Sequence, residues 1–313
     1  MTTSLSTPTV LLLAGGPDNE RQVSIDSAAA IRQGLLDAGF PVEHRLIDAI
    51  TLDDLRAMPG DVIFPALHGP WGEGGPMQDL LEQDGRPYVG ANAATARLAM
   101  DKLGSKILAA PLGVRTAVSC AFNASDTNPP LPLPVVVKPV HEGSTVGLFV
   151  CRTMDDWNHA HAATAKRNVA AMIEPYIAGR ELTVGVLDGA TLPIVEITPA
   201  DGLYDYDAKY QRDDTVYTVE PDLPPGVAQK ITQGTAAVAR AMHAEQIARA
   251  DWILDQHGDA WFLEINTMPG FTSHSLLPKA AAATGMPFAQ VCGSLIEAAI
   301  RDHQGVSAAS ASR

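Results

Sequence analysis

Apolar and polar positions follow two rhythms along the chain. TVLLLA (9–14) is a continuous apolar run of strand length, and residues 24–38 carry apolar positions at helical spacing. Ser24 is placed to cap that helix and Gly39 to stop it. DVIFPALHG (61–69) predicts a second strand ending at His68, followed by glycine-rich PWGEGG and a helix with Pro76 in its first turn. This alternation of strand and helix predicts a parallel-sheet N-terminal domain to about residue 91. A helical pattern covers 93–110, and the proline-rich NPPLPLP (128–134) leads into the strand VVVK. Short strands then dominate (GLFVC, AAMIEPYI, ELTVGVLDG, ATLPIVEIT), before a helix near 227–243, a hairpin, and a C-terminal helix around 287–301. The ends, 1–7 and 304–313, are expected to be disordered.

The most informative pattern is IARADWILDQHGDAWFLEIN (247–266), two strands flanking a glycine-bearing turn. If His257–Gly258 is a two-residue turn, Asp251 lies opposite Glu264 and Arg249 opposite Asn266. Alternation then puts all four on one face, with Ile253 and Phe262 as an apolar floor beside them. Ala250, Trp252, Leu254, Trp261, Leu263 and Ile265 fall on the other face, toward the core. For any one of these polar residues the plain alternative is a solvated surface. Two carboxylates facing each other across a ladder repel, however, and a divalent cation removes that cost. Hard oxygen donors beside a flat apolar floor point to a nucleotide whose phosphates reach metal ions.

Composition narrows the partners. With 46% hydrophobic and 19% charged residues over 313 positions, the chain is globular and long enough for about two to three domains. A net charge of -14 argues against nucleic acid and anionic membrane as partners. No apolar run approaches the ~18 residues of a membrane span, and the start MTTSLST has no signal-peptide character. Cys120, Cys151 and Cys292 are scattered and odd in number, which suits a reduced, cytoplasmic compartment. Phosphates must therefore be met by a few placed cations, and lysines are few. Lys138 stands at the end of VVVK, just before a loop with Gly143, Ser144, Thr145 and Gly147, whose backbone N–H groups can close on an anion. Glu174 and Glu181 flank an extended segment and can accept from an amine and from ribose hydroxyls. YDYDAKY (204–210) sets Lys209 beside Tyr210 in a long aperiodic stretch of the kind that forms lids.

These pieces, with AGGPDNERQVS, ALHGPWGEGGPMQDLLEQDGRPYVG, AMDKLGSK, VVKPVHEGSTVG, ARADW and LEINTMPGFTSHSLLP, resemble the D-alanine–D-alanine ligases of the ATP-grasp superfamily, in the family's order from residue 11 to about 290. The resemblance implies an α/β (α+β) ATP-grasp fold with an N-terminal parallel-sheet, Rossmann-like domain at 1–91, a central subdomain forming the ATP lid at 92–177 and a C-terminal subdomain at 178–313. It implies ATP-dependent joining of two D-alanine molecules through an acyl phosphate, for peptidoglycan precursors, with two Mg²⁺ (or Mn²⁺) ions, in a homodimer.

Roles follow residue by residue. Lys102 and Lys138 match ATP-binding lysines; Glu174, Ile177 and the backbone around Pro175 match the adenine segment; Glu181 matches the ribose contact. Asp251, Glu264 and Asn266 match the metal ligands, with Glu264 bridging, and Lys209 matches the lysine at the transferred phosphoryl group. Glu20, Ser144 and Tyr210 match a hydrogen-bonded set that closes the lid over the amino acids. Arg249 and the Gly270 N–H match the oxyanion stabilisers, Ser275 and the Leu276 N–H the binders of the second carboxylate, and His68 a histidine near the first. Pro17–Asp18, Gln22, Pro175 and the entry AEQIA depart from the family pattern, but none removes a charged catalytic group or a metal ligand. A dehydrogenase reading of Gly15–Gly16 fails because Asp18 and Glu20 stand where a pyrophosphate would lie. A ligase with a D-lactate or D-serine acceptor, one serving natural-product assembly, and a nucleotide-binding regulator without turnover are the remaining alternatives.

Overall fold

The structure is a computed structural model that describes residues 7–143, 145–200, 214–272 and 275–311. Val10 to Ala14 are all fully buried, which makes β1 (Val10–Gly15) the centre of a parallel sheet. After α1 (Arg21–Asp37) comes β2 (Val42–Ile47), and after α2 (Leu52–Ala57) comes β3 (Val62–Pro65), each pairing in parallel with β1. β2 adds a strand to the two that the apolar pattern predicts here, because VEHRLI is a largely exposed edge strand with a polar pattern. Ser24 is also not the cap of α1, which starts earlier, after Glu20. Its buried hydroxyl instead accepts from the Gly15 N–H at 2.8 Å and donates to the Ala66 carbonyl, tying the ends of β1 and β3 to the helix. The short turn of helix α3 (Gly69–Gly72) and α4 (Pro76–Asp84) follow.

The single helix expected over 93–110 is two, α5 (Ala93–Met100) and α6 (Lys102–Ala109). Asp101 divides them and caps the second, accepting from the Leu103 and Gly104 N–H groups at 3.0 Å each. An antiparallel sheet of order β4-β7-β5-β6 follows, from β4 (Cys120–Ala121), β5 (Val135–Pro139), β6 (Phe149–Cys151) and β7 (Ala171–Pro175), with α7 (Met154–Arg167) packed on it. A larger antiparallel sheet holds β8 (Gly179–Leu187), β9 (Ala190–Thr191), β10 (Val195–Thr198), β11 (Val216–Val219), β12 (Ile247–Asp255) and β13 (Ala260–Asn266). α8 (Val227–Met242) covers its inner face through Ile231, Val238 and Met242.

Two last helices are α9 (Leu276–Ala283) and α10 (Phe288–Ala311). The tail expected to be disordered from 304 is thus helical through Ala311, as an alanine-rich, proline-free segment allows. Val291, Leu295, Ile296 and Ala299 of α10 share one core with Val10, Leu12, Ile31 and Leu35. The approach of α10 to α1 is close: a Cβ at Gly34 would stand 2.8 Å from Cys292 Sγ. Among the described residues no helix is long and apolar enough to cross a membrane.

Candidate active site

The site is built outward from the β12–β13 hairpin. Asp251 lies opposite Glu264 and Arg249 opposite Asn266, the pairing expected from a two-residue turn, but the route differs. The turn has three residues, 256–258: Asp255 and Asp259 face each other, Gly258 takes φ +82°, and the Asp255 carboxylate accepts from the His257 and Asp259 N–H groups at 2.9 Å each. The ladder is then shifted by one until a bulge between Asp251/Trp252 and Glu264/Phe262 absorbs Leu263 and restores it. Phe262 therefore does not form the floor of the site. It is fully buried on the core face, its ring 5.5 Å from that of Trp252. Leu263 lines the cavity beside Ile253 in its place. Trp261 also leaves the core face; its Nε1 donates to Asp255 at 2.9 Å and Arg115 lies over its ring.

Basic groups stand against both carboxylates. Arg249 donates to the two Asp251 oxygens at 2.9 and 2.8 Å, and Thr183 of β8 donates to Asp251 at 2.6 Å. Lys102, at the start of α6, reaches Glu264 at 3.2 Å and donates to the Glu142 carbonyl at 2.6 Å. Among the described residues no group of three or more His, Cys, Asp or Glu is gathered as a self-contained metal cage. Asp251, Glu264 and Asn266 nonetheless fit magnesium, which takes one or two carboxylates and completes its shell with substrate phosphates.

Opposite the hairpin stands the sheet of β5 and β7. In VVVKP, Val135 and Val137 face the core while Val136 and Lys138 face the cavity. Val136 pairs with Glu174, so Lys138 sits diagonally across from that carboxylate and reaches it at 2.6 Å. A second cation meets the same carboxylate: Lys106, one turn beyond Lys102 on α6. Burial would push the Glu174 carboxyl up, yet the charges of Lys138 and Lys106 hold it below its ordinary value. Burial, and after it the Lys138 charge, push the Lys106 ammonium down against the pull of Glu174. Lys106 carries no role in the sequence reading; its one signal is the i, i+4 spacing from Lys102 among seven lysines. The glycine loop leaves β5 and is held at its base by Arg167 with Glu142. A Cβ at Gly147, at φ +72°, would fall on the Arg167 guanidinium.

The segments that follow β1 and β3, and the segment after β13, close the cavity. Glu20 approaches the glycine loop, 3.4 Å from where a Gly143 Cβ would stand. His68 is buried between Ser27, at 3.4 Å from Nε2, and Glu73, at 3.8 Å from Nδ1. Burial would lower its imidazole, but Glu73 and then Glu20 hold it above the ordinary histidine value. Asp18, the acid beside the glycine pair, is structural: it accepts from the Trp71 N–H at 2.8 Å at the start of α3. Gly270, Ser275 and Leu276 line the far wall, with Ser275 Oγ accepting from the Thr272 N–H at 2.9 Å. Pro175, Ile177 and Glu181 line the side next to Glu174. Ser144, Lys209 and Tyr210 lie outside the described residues.

A family model described as D-ala D-ala ligase C-terminus matches residues 121–297. The D-alanine–D-alanine ligase of Bordetella petrii is 41% identical over 303 residues, covering 93% of this chain and 92% of that protein. The chain belongs to the D-alanine–D-alanine ligase family. The ligase of Bordetella avium is 40% identical over 91% of the chain and 92% of its own length. Among solved structures, the Bacillus anthracis D-alanine–D-alanine ligase complexed with ATP superimposes with a TM-score of 0.81 at 28% identity, covering 96% of this chain and 99% of that one. The mixed architecture of one parallel and two antiparallel sheets is thus the ATP-grasp ligase fold.

Proposed function

We propose that this member of the ligase family joins two D-alanine molecules at the expense of ATP, supplying D-alanyl-D-alanine for peptidoglycan. The observation that carries the reading is one cavity lined by Asp251, Glu264, Asn266 and Arg249 on one side, Lys138 and Glu174 on another, and Glu20 and His68 on a third. Adenine would lie on Ile253 and Leu263, with Glu174, Pro175 and Ile177 at its edge and Glu181 at the ribose. Lys102 and Lys138 would hold phosphate oxygens as the first D-alanine carboxylate attacks the γ-phosphorus, the bond to the bridging oxygen breaks and ADP leaves. Glu20 would receive that substrate's ammonium group and His68 would stand near its carboxylate. The second D-alanine, its carboxylate at Ser275 and the Leu276 N–H, attacks the acyl carbonyl through its amine, and phosphate leaves with the bonding pair. Arg249 and the Gly270 N–H would stabilise the oxyanion in between. Asp251, Glu264 and Asn266 would hold two Mg²⁺ or Mn²⁺ ions, which when bound neutralise charge on the transferring phosphoryl group.

The same reading takes the three sheets as the cores of units at 1–91, 92–177 and 178–313, places the enzyme in the cytoplasm with its ATP, and makes it a homodimer, which sedimentation would test. The deciding assay measures phosphate release from ATP with and without D-alanine, together with the product. D-alanine-dependent release with stoichiometric dipeptide is expected. ATP binding without D-alanine-dependent release would overturn the reading in favour of a regulator.

A further inference from the structure

Two lysines and one glutamate are buried together at the joint between α6 and the β5–β7 sheet, and their charges do not cancel. Lys106 and Lys138 each contact a different oxygen of Glu174, leaving one excess positive charge out of water. Such an excess is costly unless an anion completes it. Lys138 lines the cavity, whereas Lys106 is not part of its wall. Of these two lysines, it is Lys138 that is placed to meet a ligand. Lys102, the other cation of this helix face, is engaged with Glu264 and the Glu142 carbonyl.

We propose that Lys106 is a positioning residue that acts through Glu174: by holding that carboxylate, it releases Lys138 to bind nucleotide phosphate. Without Lys106, Glu174 and Lys138 form a neutral buried pair, and a phosphate has to compete with the carboxylate for Lys138. With Lys106 in place, Glu174 keeps a cation when Lys138 turns to the phosphate. The inference rests on the nucleotide reading of the cavity.

The experiment compares the affinities of ADP and adenosine for the full chain by calorimetry at fixed magnesium. Adenosine meets the same pocket but carries no phosphate. In Lys106→Met the ratio of ADP to adenosine affinity should fall about tenfold, the loss of one buried charge interaction. Lys106→Gln, which keeps a hydrogen-bond donor but no charge, should show the same loss and guards against misfolding of the Met variant. Adding Glu174→Gln to Lys106→Met frees Lys138 again, and the ratio should return to within about threefold of wild type. Equal weakening of both ligands, an unchanged ratio, or no recovery in the double variant would overturn the inference alone. A wild type that binds neither ligand would overturn the nucleotide reading, and the inference with it.

Discussion

Glu264 stands between Asp251 across the ladder and the Lys102 ammonium, so its charge is the quantity to test. Glu264→Gln keeps volume and leaves the apolar face of the hairpin untouched, yet removes one unit of charge from the expected metal site. Ligation should be lost while the thermal unfolding curve stays within a few degrees of wild type, about the shift from 1 kcal/mol. Near-normal turnover at ordinary magnesium would sink the metal assignment. His68 supports a pH prediction. Its value is raised above the ordinary 6.5 in the folded protein, so the charged imidazole stabilises fully below that pH. The contribution disappears as pH rises through the higher folded-state value. The stability gap between wild type and His68→Gln, from urea unfolding at pH 6 and pH 8, should therefore be larger at pH 6. A gap that widens toward pH 8 would mean that the buried imidazole is neutral.

At the scale of the element, the bulge at Leu263 decides which neighbours of Glu264 face the cavity. Phe262→Ala should cost ~3–5 kcal/mol of stability, as a core cavity does, with nucleotide affinity in the folded fraction little changed. Leu263→Ala should do the reverse, weakening nucleotide binding more than stability. The opposite pattern in unfolding and calorimetric titrations would restore Phe262 to the pocket. This hairpin also shows what was legible beforehand. That Arg249 shares a face with Asp251, and Glu264 with Asn266, follows from alternation, because strand period is a local property, whereas their pairing across the ladder depends on the turn. The turn length and the bulge offset each other, so the distal pairs came out right while Phe262, Trp261 and Leu263 were assigned to the wrong faces. One extra residue inverts parity and leaves no mark in composition. β2 is not legible because an exposed edge strand lacks an apolar face, and the role of Lys106 is not because its partner is remote, on β7.

At the scale of the whole molecule, the cavity draws on both antiparallel sheets and on segments that follow β1 and β3, and the first sheet is in turn completed by α10. A chain ending at residue 287 would leave Val10, Leu12, Ile31 and Leu35 facing water on one side, and with them several kcal/mol of lost burial. Such a truncation should be recovered aggregated or bound by chaperones, whereas one ending at residue 303 should purify as a folded monomer or oligomer. Equal solubility of the two would show that α10 is dispensable to this core. The packing of α10 on α1 also sets a schedule for synthesis. β1, α1 and β3 leave the ribosome long before the surface that seals them, an interval on the order of tens of seconds at usual elongation rates. Through that time the nascent sheet carries an unsealed apolar face, so a segment made well before its cover is among the last to become secure.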